Sequence, residues 1–179
     1  KLRSSDQETS IKTLQIEDLL NRKPIKIENE EVKRRHHNKN ILITGGAGSI
    51  GSEIVRQVAL FEPALIVVLD QAETPLYEIE MEMRNLFPMI SFKFVLGDIS
   101  NKHRIEPLFQ KHQFSVVYHA AAYKHVPLIE ENPHEAVLVN ILGTKNLSTL
   151  ASQYKVNRFV MVSTDKAVKP TNVMGASKR

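Results

Sequence analysis

From Ile41 onward, short apolar runs alternate with longer stretches in which apolar residues recur every three or four positions. The short runs predict buried strands, and the longer stretches predict helices that pack one face against them. Strands that alternate with helices of this length specify a parallel sheet with right-handed crossovers. The predicted strands cover residues 41–44, 64–70, 92–96, 115–119 and 158–163, and the predicted helices begin near residues 50, 76, 102, 133 and 172.

Before Ile41 the pattern is weaker. Residues 1–10 are polar and are expected to be disordered. A short amphipathic helix is predicted over 13–20, and Pro24 stops it. Ile25 and Ile27 then alternate with charges in a short extended segment, which a charged linker at 28–39 follows. The domain organisation predicted from this pattern is a polar segment with a short helix and linker over 1–39, and one folded domain over 40–179.

A glycine-rich turn follows the first predicted strand, where the sequence reads ILITGGAGSIG. Gly45 lets the chain turn sharply off the strand, Gly48 lets the backbone approach a pyrophosphate, and Gly51 lets the next helix pack closely. Ser49 and Ile50 stand at the helix start, where free N–H groups face an anion. Ordinary loops and hairpins also contain such glycines, so the turn alone is a weak signal.

Asp70 strengthens the interpretation, because it ends the second predicted strand nineteen residues after Gly51. A carboxylate at this place accepts hydrogen bonds from a ribose diol, whereas the alternative is an exposed aspartate in a loop. Strand, glycine turn, helix, strand and acid occur in the expected order. The sequence therefore predicts an α/β, Rossmann-like doubly wound sheet that binds a dinucleotide, in a chain that ends before the last strands and a substrate lobe.

Further candidates follow the later strands, because ligands bind at the carboxyl ends of parallel strands in doubly wound sheets. Asp98 either bonds an adenine amino group or caps the helix that begins near residue 102, and Ile99 follows it. Asn140 lies among apolar residues of the long helix at 133–154, so it either braces neighbouring backbone or sits at the site. Three small residues follow the fourth strand, where the chain either passes close to the dinucleotide or merely favours helix: Ala120, Ala121 and Ala122.

Composition and charge exclude several other functions. With 179 residues, 42% of them apolar, the chain can bury one sizeable core. It has no run approaching the roughly 18 apolar residues of a membrane span and no apolar signal-peptide core. Cysteine is absent and the histidines lack metal-ligand spacing, so we expect no metal. The net charge of +4 suits an anionic small molecule but is too dispersed for nucleic acid. The basic run at 33–37 is interpreted as a solvated linker rather than a membrane or nucleic-acid patch.

Several blocks of sequence together carry a family resemblance: DLLNR before Pro24, TGGAGSIG, the Asp70 strand end, GDI at 97–99, HAAAYKHVP at 119–127 and STDKAVKPTNVMGASK at 163–178. The chain resembles the nucleotide-sugar dehydratases of bacterial polysaccharide biosynthesis. These are of the UDP-N-acetylglucosamine 4,6-dehydratase type, within the extended short-chain dehydrogenase/reductase superfamily. The resemblance runs from about Asp18 to Arg179, and the blocks at 119–127 and 163–178 are its most specific parts.

One position departs from the superfamily pattern. A Tyr-x-x-x-Lys pair normally stands where this chain has Met174 and Lys178. A thioether has no ionisable proton and cannot act as a general base. The resemblance to the large, membrane-anchored dehydratases accounts for the methionine, since they carry Met here. The acceptor of the sugar C4 hydroxyl proton stays open among Thr164, Asp165 and a bound water.

The resemblance implies a reaction in three steps: hydride leaves sugar C4 for NAD, water is eliminated across C5 and C6, and hydride returns to C6. It implies that Asp165 acts as acid on the departing C6 hydroxyl, that Lys166 acts as base at C5, and that Lys178 holds the nicotinamide ribose. The alternative for Asp165 and Lys166 is a surface pair in a loop. The resemblance also puts Lys124 and His125 beside the substrate, whereas the residues alone suggest a solvated charge and a loop histidine.

NAD is favoured over NADP because Asp70 would repel a 2′-phosphate and the following Gln71-Ala72-Glu73 offers no arginine to bind one. The resemblance further implies a UDP-sugar substrate and a homo-oligomer in the full-length form. It also implies a location in the cytoplasm, at the cytoplasmic face of the inner membrane, through segments that this chain lacks. We expect the chain alone to bind the cofactor and to turn over poorly or not at all.

Two rival functions stay open. A nucleotide-sugar C4 epimerase shares the fold and the first hydride transfer, but the Thr164–Lys166 series and the missing tyrosine argue against it. A non-catalytic dinucleotide-binding module gains support from Met174 and from the point at which the chain ends.

Overall fold

A five-stranded sheet, in which every pair of neighbouring strands is parallel, forms the centre of the domain. The computed structural model describes residues 30–179. The disordered segment, the helix and the extended segment predicted between residues 1 and 27 therefore lie outside the described residues. The strands are β1 (Asn40–Thr44), β2 (Leu65–Asp70), β3 (Phe92–Leu96), β4 (Val116–His119) and β5 (Arg158–Met161).

Helices connect the strands as the hydrophobic pattern predicts. The strand order is β3-β2-β1-β4-β5, so the chain crosses from β3 back past β1 to reach β4. This is the doubly wound, Rossmann-like arrangement expected from the sequence. The helices are α1 (Glu30–His36), α2 (Ser49–Ala59), α3 (Glu73–Leu86), α4 (Lys102–His112), α5 (Val126–Glu131), α6 (Pro133–Glu135), a π-helical segment (Ala136–Gly143), α7 (Thr144–Gln153), a 3₁₀ turn (Asp165–Ala167) and α8 (Val173–Ser177).

Both faces of the sheet are covered, which explains why β1 and β2 are apolar at successive positions. On one face, Ile41 and Ile43 pack with side chains of α2 and α3. On the other face, Leu42 packs with side chains of α4 and α7, among them Phe109 and Leu147. Neighbouring residues of β1 therefore belong to different apolar clusters. Contacts on both faces of the sheet fix the position of this strand.

The segment predicted as a charged linker contains a helix, α1, and this is a correction. Its cause is a tertiary contact of His36, which is 4% exposed. One ring nitrogen lies 2.6 Å from the carbonyl oxygen of Val32, and the other lies 2.7 Å from the hydroxyl of Tyr118. The ring also stacks on Tyr118, with 5.8 Å between centroids. A contact across 82 residues leaves no trace in local charge patterning.

Several predicted boundaries and faces also shift. β5 ends at Met161, two residues before the predicted end. Leu86 at the end of α3 and Leu96 at the end of β3 are 57% and 47% exposed. Pro127 stands in the first turn of α5, where a missing N–H is tolerated. Among residues 30–179, no helix combines the length and the apolar character that crossing a membrane requires.

Candidate functional site

The glycine turn leaves β1 at the carboxyl edge of the sheet and makes two contacts that exclude a side chain. Gly45 has a φ of 70°, and a Cβ there would collide with the backbone of Ala121. A Cβ on Gly51 would collide with the carbonyl oxygen of Gly45. Helix α2 begins directly against the turn, and no side chain caps it at Gly48. Its first N–H groups therefore remain available to an anion.

A cleft of about 280 Å³ lies at the carboxyl ends of β1, β2, β3 and β4. The glycine turn forms one border, and the loops after the other three strands form the rest. Most of the residues predicted to bind a cofactor lie together here: Gly45, Gly48, Ser49, Ile50, Gly51, Asp70, Asp98, Ile99, Ala120, Ala121 and Ala122. Ile50 is 51% exposed and lines this cleft.

Asp70 ties the glycine turn to the start of α3. One carboxylate oxygen accepts from the N–H of Ala47 at 2.9 Å, and the other accepts from the N–H of Ala72 at 3.0 Å. Asp70 is thus a half-buried part of the cleft rather than an exposed loop residue. Each oxygen retains acceptor capacity for a ribose hydroxyl, because a carboxylate oxygen has more than one lone pair.

Asp98 is not the N-cap of the next helix. Its carboxylate accepts from the N–H of Ser100 at 2.8 Å, whereas Asn101 caps α4 by accepting from Arg104. The alternative role that the sequence allowed for Asp98 therefore belongs to Asn101. A buried residue that sequence reasoning missed, Asn146, donates to the carbonyls of Ile99 and Ser100 and holds this side of the cleft in place.

Lys124 lines the cleft, whereas its neighbour His125 does not. The ammonium of Lys124 donates to the hydroxyl of Ser49 at 3.3 Å, which places a positive charge beside the uncapped start of α2. The substrate role expected for Lys124 stays a prediction, and its contact with Ser49 places it beside the glycine turn. His125 is exposed and precedes α5.

Asn140 braces backbone, one of the two roles that the sequence left open. It is 2% exposed. Its carbonyl oxygen accepts from the N–H of Tyr123 at 2.9 Å, and its amide nitrogen donates to the carbonyl of Tyr123 and to the hydroxyl of Ser177. These hydrogen bonds support the bracing role, and a place of Asn140 in the cofactor site stays a prediction. The side chain joins the loop after β4 to α8.

His119 is completely buried at the end of β4. Its two ring nitrogens lie 2.8 Å from the hydroxyls of Thr44 and Thr144. Burial, followed by the nearby charge of Lys178, lowers the pKa of His119 to about 4. The imidazole is therefore neutral, with one nitrogen donating and the other accepting. This chain of hydrogen bonds joins β1, β4 and α7 beneath the cleft.

Lys178 lies outside the cleft lining but close enough to His119 to influence it. Burial lowers the pKa of the Lys178 ammonium. Met174, one turn earlier, is 4% exposed and packs with Ile129 and Ala136. The buried thioether helps to hold α8 in place, and the assignment of Met174 to the catalytic site stays a prediction.

Asp165 and Lys166 stand in the 3₁₀ turn that follows β5, and Thr164 caps it; none of the three lines the cleft. The Asp165 carboxylate accepts from the Thr164 hydroxyl and from the N–H of Lys166, both at 2.9 Å. The Thr164 hydrogen bond, followed by the charge of Lys166, lowers the pKa of Asp165. Gly175 packs against this turn, and a Cβ there would lie 2.5 Å from the carbonyl oxygen of Lys166. Helix α8 and the turn are thus held together.

Among the described residues, no group of three or more His, Asp and Glu side chains is placed to hold a metal ion. The remaining cleft residues were not singled out from sequence, because apolar and amide side chains carry no chemical signature of their own. These residues include Ala47, Leu69, Gln71, Pro75, Gly97, Tyr123 and Val139.

The family model described as "Polysaccharide biosynthesis protein" matches residues 41–179. The capsular polysaccharide biosynthesis protein CapD of Staphylococcus aureus is 48% identical over 171 residues, which are 95% of this chain and 28% of that protein. An inverting UDP-N-acetylglucosamine 4,6-dehydratase of Campylobacter jejuni is 35% identical over 143 residues, which are 79% of this chain and 41% of that protein. A UDP-glucose 4-epimerase of Rickettsia canadensis is also 35% identical, with the same two coverages.

Solved structures share the fold. The structure of Pen from Bacillus thuringiensis has a TM-score of 0.74 and 37% identity, covering 79% of this chain and 43% of that one. A UDP-glucose 4-epimerase of Thermus thermophilus, solved in complex with NAD, has a TM-score of 0.63 and 27% identity over 78% of this chain and 47% of that one. The chain thus spans less than half the length of each of these relatives.

Proposed function

The chain belongs to the polysaccharide biosynthesis protein family, and from this premise we propose that it is the cofactor-binding part of an NAD-dependent nucleotide-sugar 4,6-dehydratase. The observation that carries the proposal is the cleft at the carboxyl edge of the sheet, where the uncapped start of α2 and Asp70 lie on either side of the glycine turn. We further propose UDP-N-acetylglucosamine, or a closely similar UDP-sugar, as the substrate.

The residues of the cleft fit a dinucleotide. At Gly45 and Gly51 the backbone is packed too closely for a Cβ, so the turn is compact, and the first N–H groups of α2 would face the pyrophosphate. Lys124, bonded to Ser49, adds a positive charge at the same place. Asp70 would bind the adenosine ribose, and the loop that contains Asp98 and Ile99 would border the adenine. When bound, NAD supplies the hydride acceptor and later the hydride donor.

The negative charge beside the ribose favours NAD over NADP as the cofactor. Asp70 is fixed by two backbone N–H groups, so its carboxylate cannot easily swing away from a 2′-phosphate. Gln71, the next residue, offers an amide where an arginine would be needed to bind that phosphate. The Thermus thermophilus epimerase was solved in complex with NAD, which supports a nicotinamide dinucleotide as the ligand.

At the sugar end, we propose that the 3₁₀ turn after β5 supplies the proton transfers. Asp165 would protonate the departing C6 hydroxyl, Lys166 would accept the C5 proton, and Lys178 would hold the nicotinamide ribose. Asp165 is exposed, and its lowered pKa keeps it ionised near neutral pH. Its role as an acid therefore requires the bound sugar to exclude water and to displace the Thr164 hydroxyl, because both changes raise a carboxyl pKa.

The experiment uses the full-length protein with UDP-N-acetylglucosamine and follows the product by mass spectrometry. A dehydratase forms a product that lacks one water. Lys166→Ala should abolish this product, while Lys169→Ala, at an exposed lysine of the same loop, should retain it. Persistent dehydration by the Lys166 variant would refute its assignment as the base.

Two other functions are outcomes of the same assay. Unchanged mass with inverted configuration at C4 would indicate the epimerase, a function favoured by the similarity to the Rickettsia canadensis enzyme. No conversion in spite of NAD binding would indicate a non-catalytic module, for which the burial of Met174 is the supporting observation. Attachment of the full-length protein to the cytoplasmic face of the inner membrane and its homo-oligomeric state stay predictions.

A further inference from the structure

A hydrogen bond between Gln71 and Tyr123 joins two loops that line the cleft. The side-chain amide of Gln71 donates to the hydroxyl of Tyr123 at 2.9 Å. Gln71 directly follows β2, Tyr123 follows β4, and β1 lies between these two strands. Neighbouring strands are about 4.8 Å apart, so the pair reaches across about 10 Å of the sheet edge. Because the glycine turn leaves β1 at this edge, the bond lies across the place proposed for the pyrophosphate.

The two partners are held very differently. Asn140 bonds both backbone groups of Tyr123, at 2.9 and 3.0 Å. The Tyr123 ring also packs against two apolar clusters. Gln71, by contrast, is exposed. Tyr123 is therefore held in place, and Gln71 is the partner whose side chain can move away into solvent.

We propose that Gln71 and Tyr123 form a strap that opens before a dinucleotide enters or leaves the cleft. This inference rests on the dinucleotide-binding part of the proposed function. In the proposed reaction the hydride removed from the sugar returns to it, so the cofactor ends each turnover unchanged and need not leave. A strap that slows cofactor exchange would therefore not lower the turnover rate.

A bond that closes the empty cleft and the occupied cleft equally well slows entry and exit by the same factor. Gln71→Ala or Tyr123→Phe should therefore raise both the association and the dissociation rate constants of NADH, and leave the dissociation constant nearly unchanged. The expected increase is about two- to fivefold, because the bond is single, neutral and open to solvent. Stopped-flow measurement of NADH fluorescence with the 179-residue chain gives both rates.

Two comparisons sharpen the kinetic test. The double variant should be no faster than the faster single variant, because either change removes the same bond. Tyr77→Phe removes a hydroxyl from an exposed tyrosine on α3, outside the cleft lining, and should leave both rates unchanged. An increase in the dissociation rate alone would overturn the strap, because it would show that Gln71 or Tyr123 binds the cofactor directly.

A second measurement needs no cofactor. The chain contains no cysteine, so Ala121→Cys places a single thiol in the cleft. Adding Gln71→Ala should speed its reaction with a maleimide about two- to fivefold, in proportion to the NADH rates. An unchanged labelling rate would overturn the strap. If Gln71→Ala speeds the labelling of Ala121→Cys but the chain does not bind NADH, the strap is supported and the proposed function is refuted.

Discussion

His119 should make the stability of this domain depend on pH between 6.5 and about 4, a range that begins above the pKa of ordinary carboxylates. The ring is fully buried, and its pKa falls from the ordinary 6.5 to about 4 on folding. The unfolded chain therefore binds a proton at His119 between pH 6.5 and 4, whereas the folded chain does not. The stability contribution is complete above pH 6.5 and is lost as the pH falls toward 4.

The size of this effect on the free energy of unfolding follows from the change in the pKa of His119. Lowering the pKa from 6.5 to about 4 corresponds to about 3 kcal/mol, of which about 2 kcal/mol should be lost between pH 7 and pH 4.5. Denaturant unfolding at a series of pH values, followed by circular dichroism, gives the free energy of unfolding. His119→Asn should be less stable at pH 7, since at least one of the two threonine hydroxyls loses its partner at a cost of about 1–3 kcal/mol.

The variant should also lose the pH dependence that the histidine supplies. The free energies of wild type and His119→Asn should therefore converge as the pH falls from 7 to 4.5. His103→Asn, at an exposed histidine on α4, should keep the wild-type profile. Parallel pH profiles for wild type and His119→Asn would show that the buried ring is not the group that titrates, and would refute the reasoning.

Three further changes have expected outcomes. Gly51→Ala should distort the turn, because its Cβ would meet the Gly45 carbonyl oxygen. Calorimetry should then detect weaker NAD binding than in wild type, and an unchanged affinity would contradict the close contact between residues 45 and 51. Glu82→Gln breaks a two-point ion pair with Arg56 (2.6 and 2.7 Å) between partly exposed side chains, so denaturant unfolding should show a loss of only about 0.5–1 kcal/mol. The expected homo-oligomer should use the exposed apolar face of the π-helical segment, which contains Val137, Leu138, Ile141 and Leu142. Ile141→Glu in the full-length protein should reduce the mass measured by analytical ultracentrifugation, and an unchanged mass would exclude this face.

The glycine turn and Asp70 were predictable because local spacing determines their geometry. Gly45 and Gly51 face each other within one turn, and Asp70 is brought beside them by the parallel pairing of β1 and β2. The alternation of β-branched runs and helical periods likewise specifies the sheet. These features depend on residues close in sequence or on strand pairing that the α/β pattern already implies.

Contacts between distant segments were not predictable. Nothing near Gln71 indicates that it bonds Tyr123, and nothing near His36 indicates that it bonds Tyr118. The burial of Met174 depends on how the short α8 packs on α5, which a five-residue segment does not specify. Single-sequence patterns contain residue types and spacings but not the partners that tertiary packing supplies.

The central claim is that a nicotinamide dinucleotide binds above the glycine turn with Asp70 at its ribose. Calorimetric titration of the chain with NAD and NADP, repeated with Asp70→Asn, tests this claim most directly. We predict that the wild-type chain binds NAD more tightly than NADP and that Asp70→Asn narrows the difference by weakening NAD binding. Absence of NAD binding by the folded chain, or an NAD preference unaffected by Asp70→Asn, would contradict it.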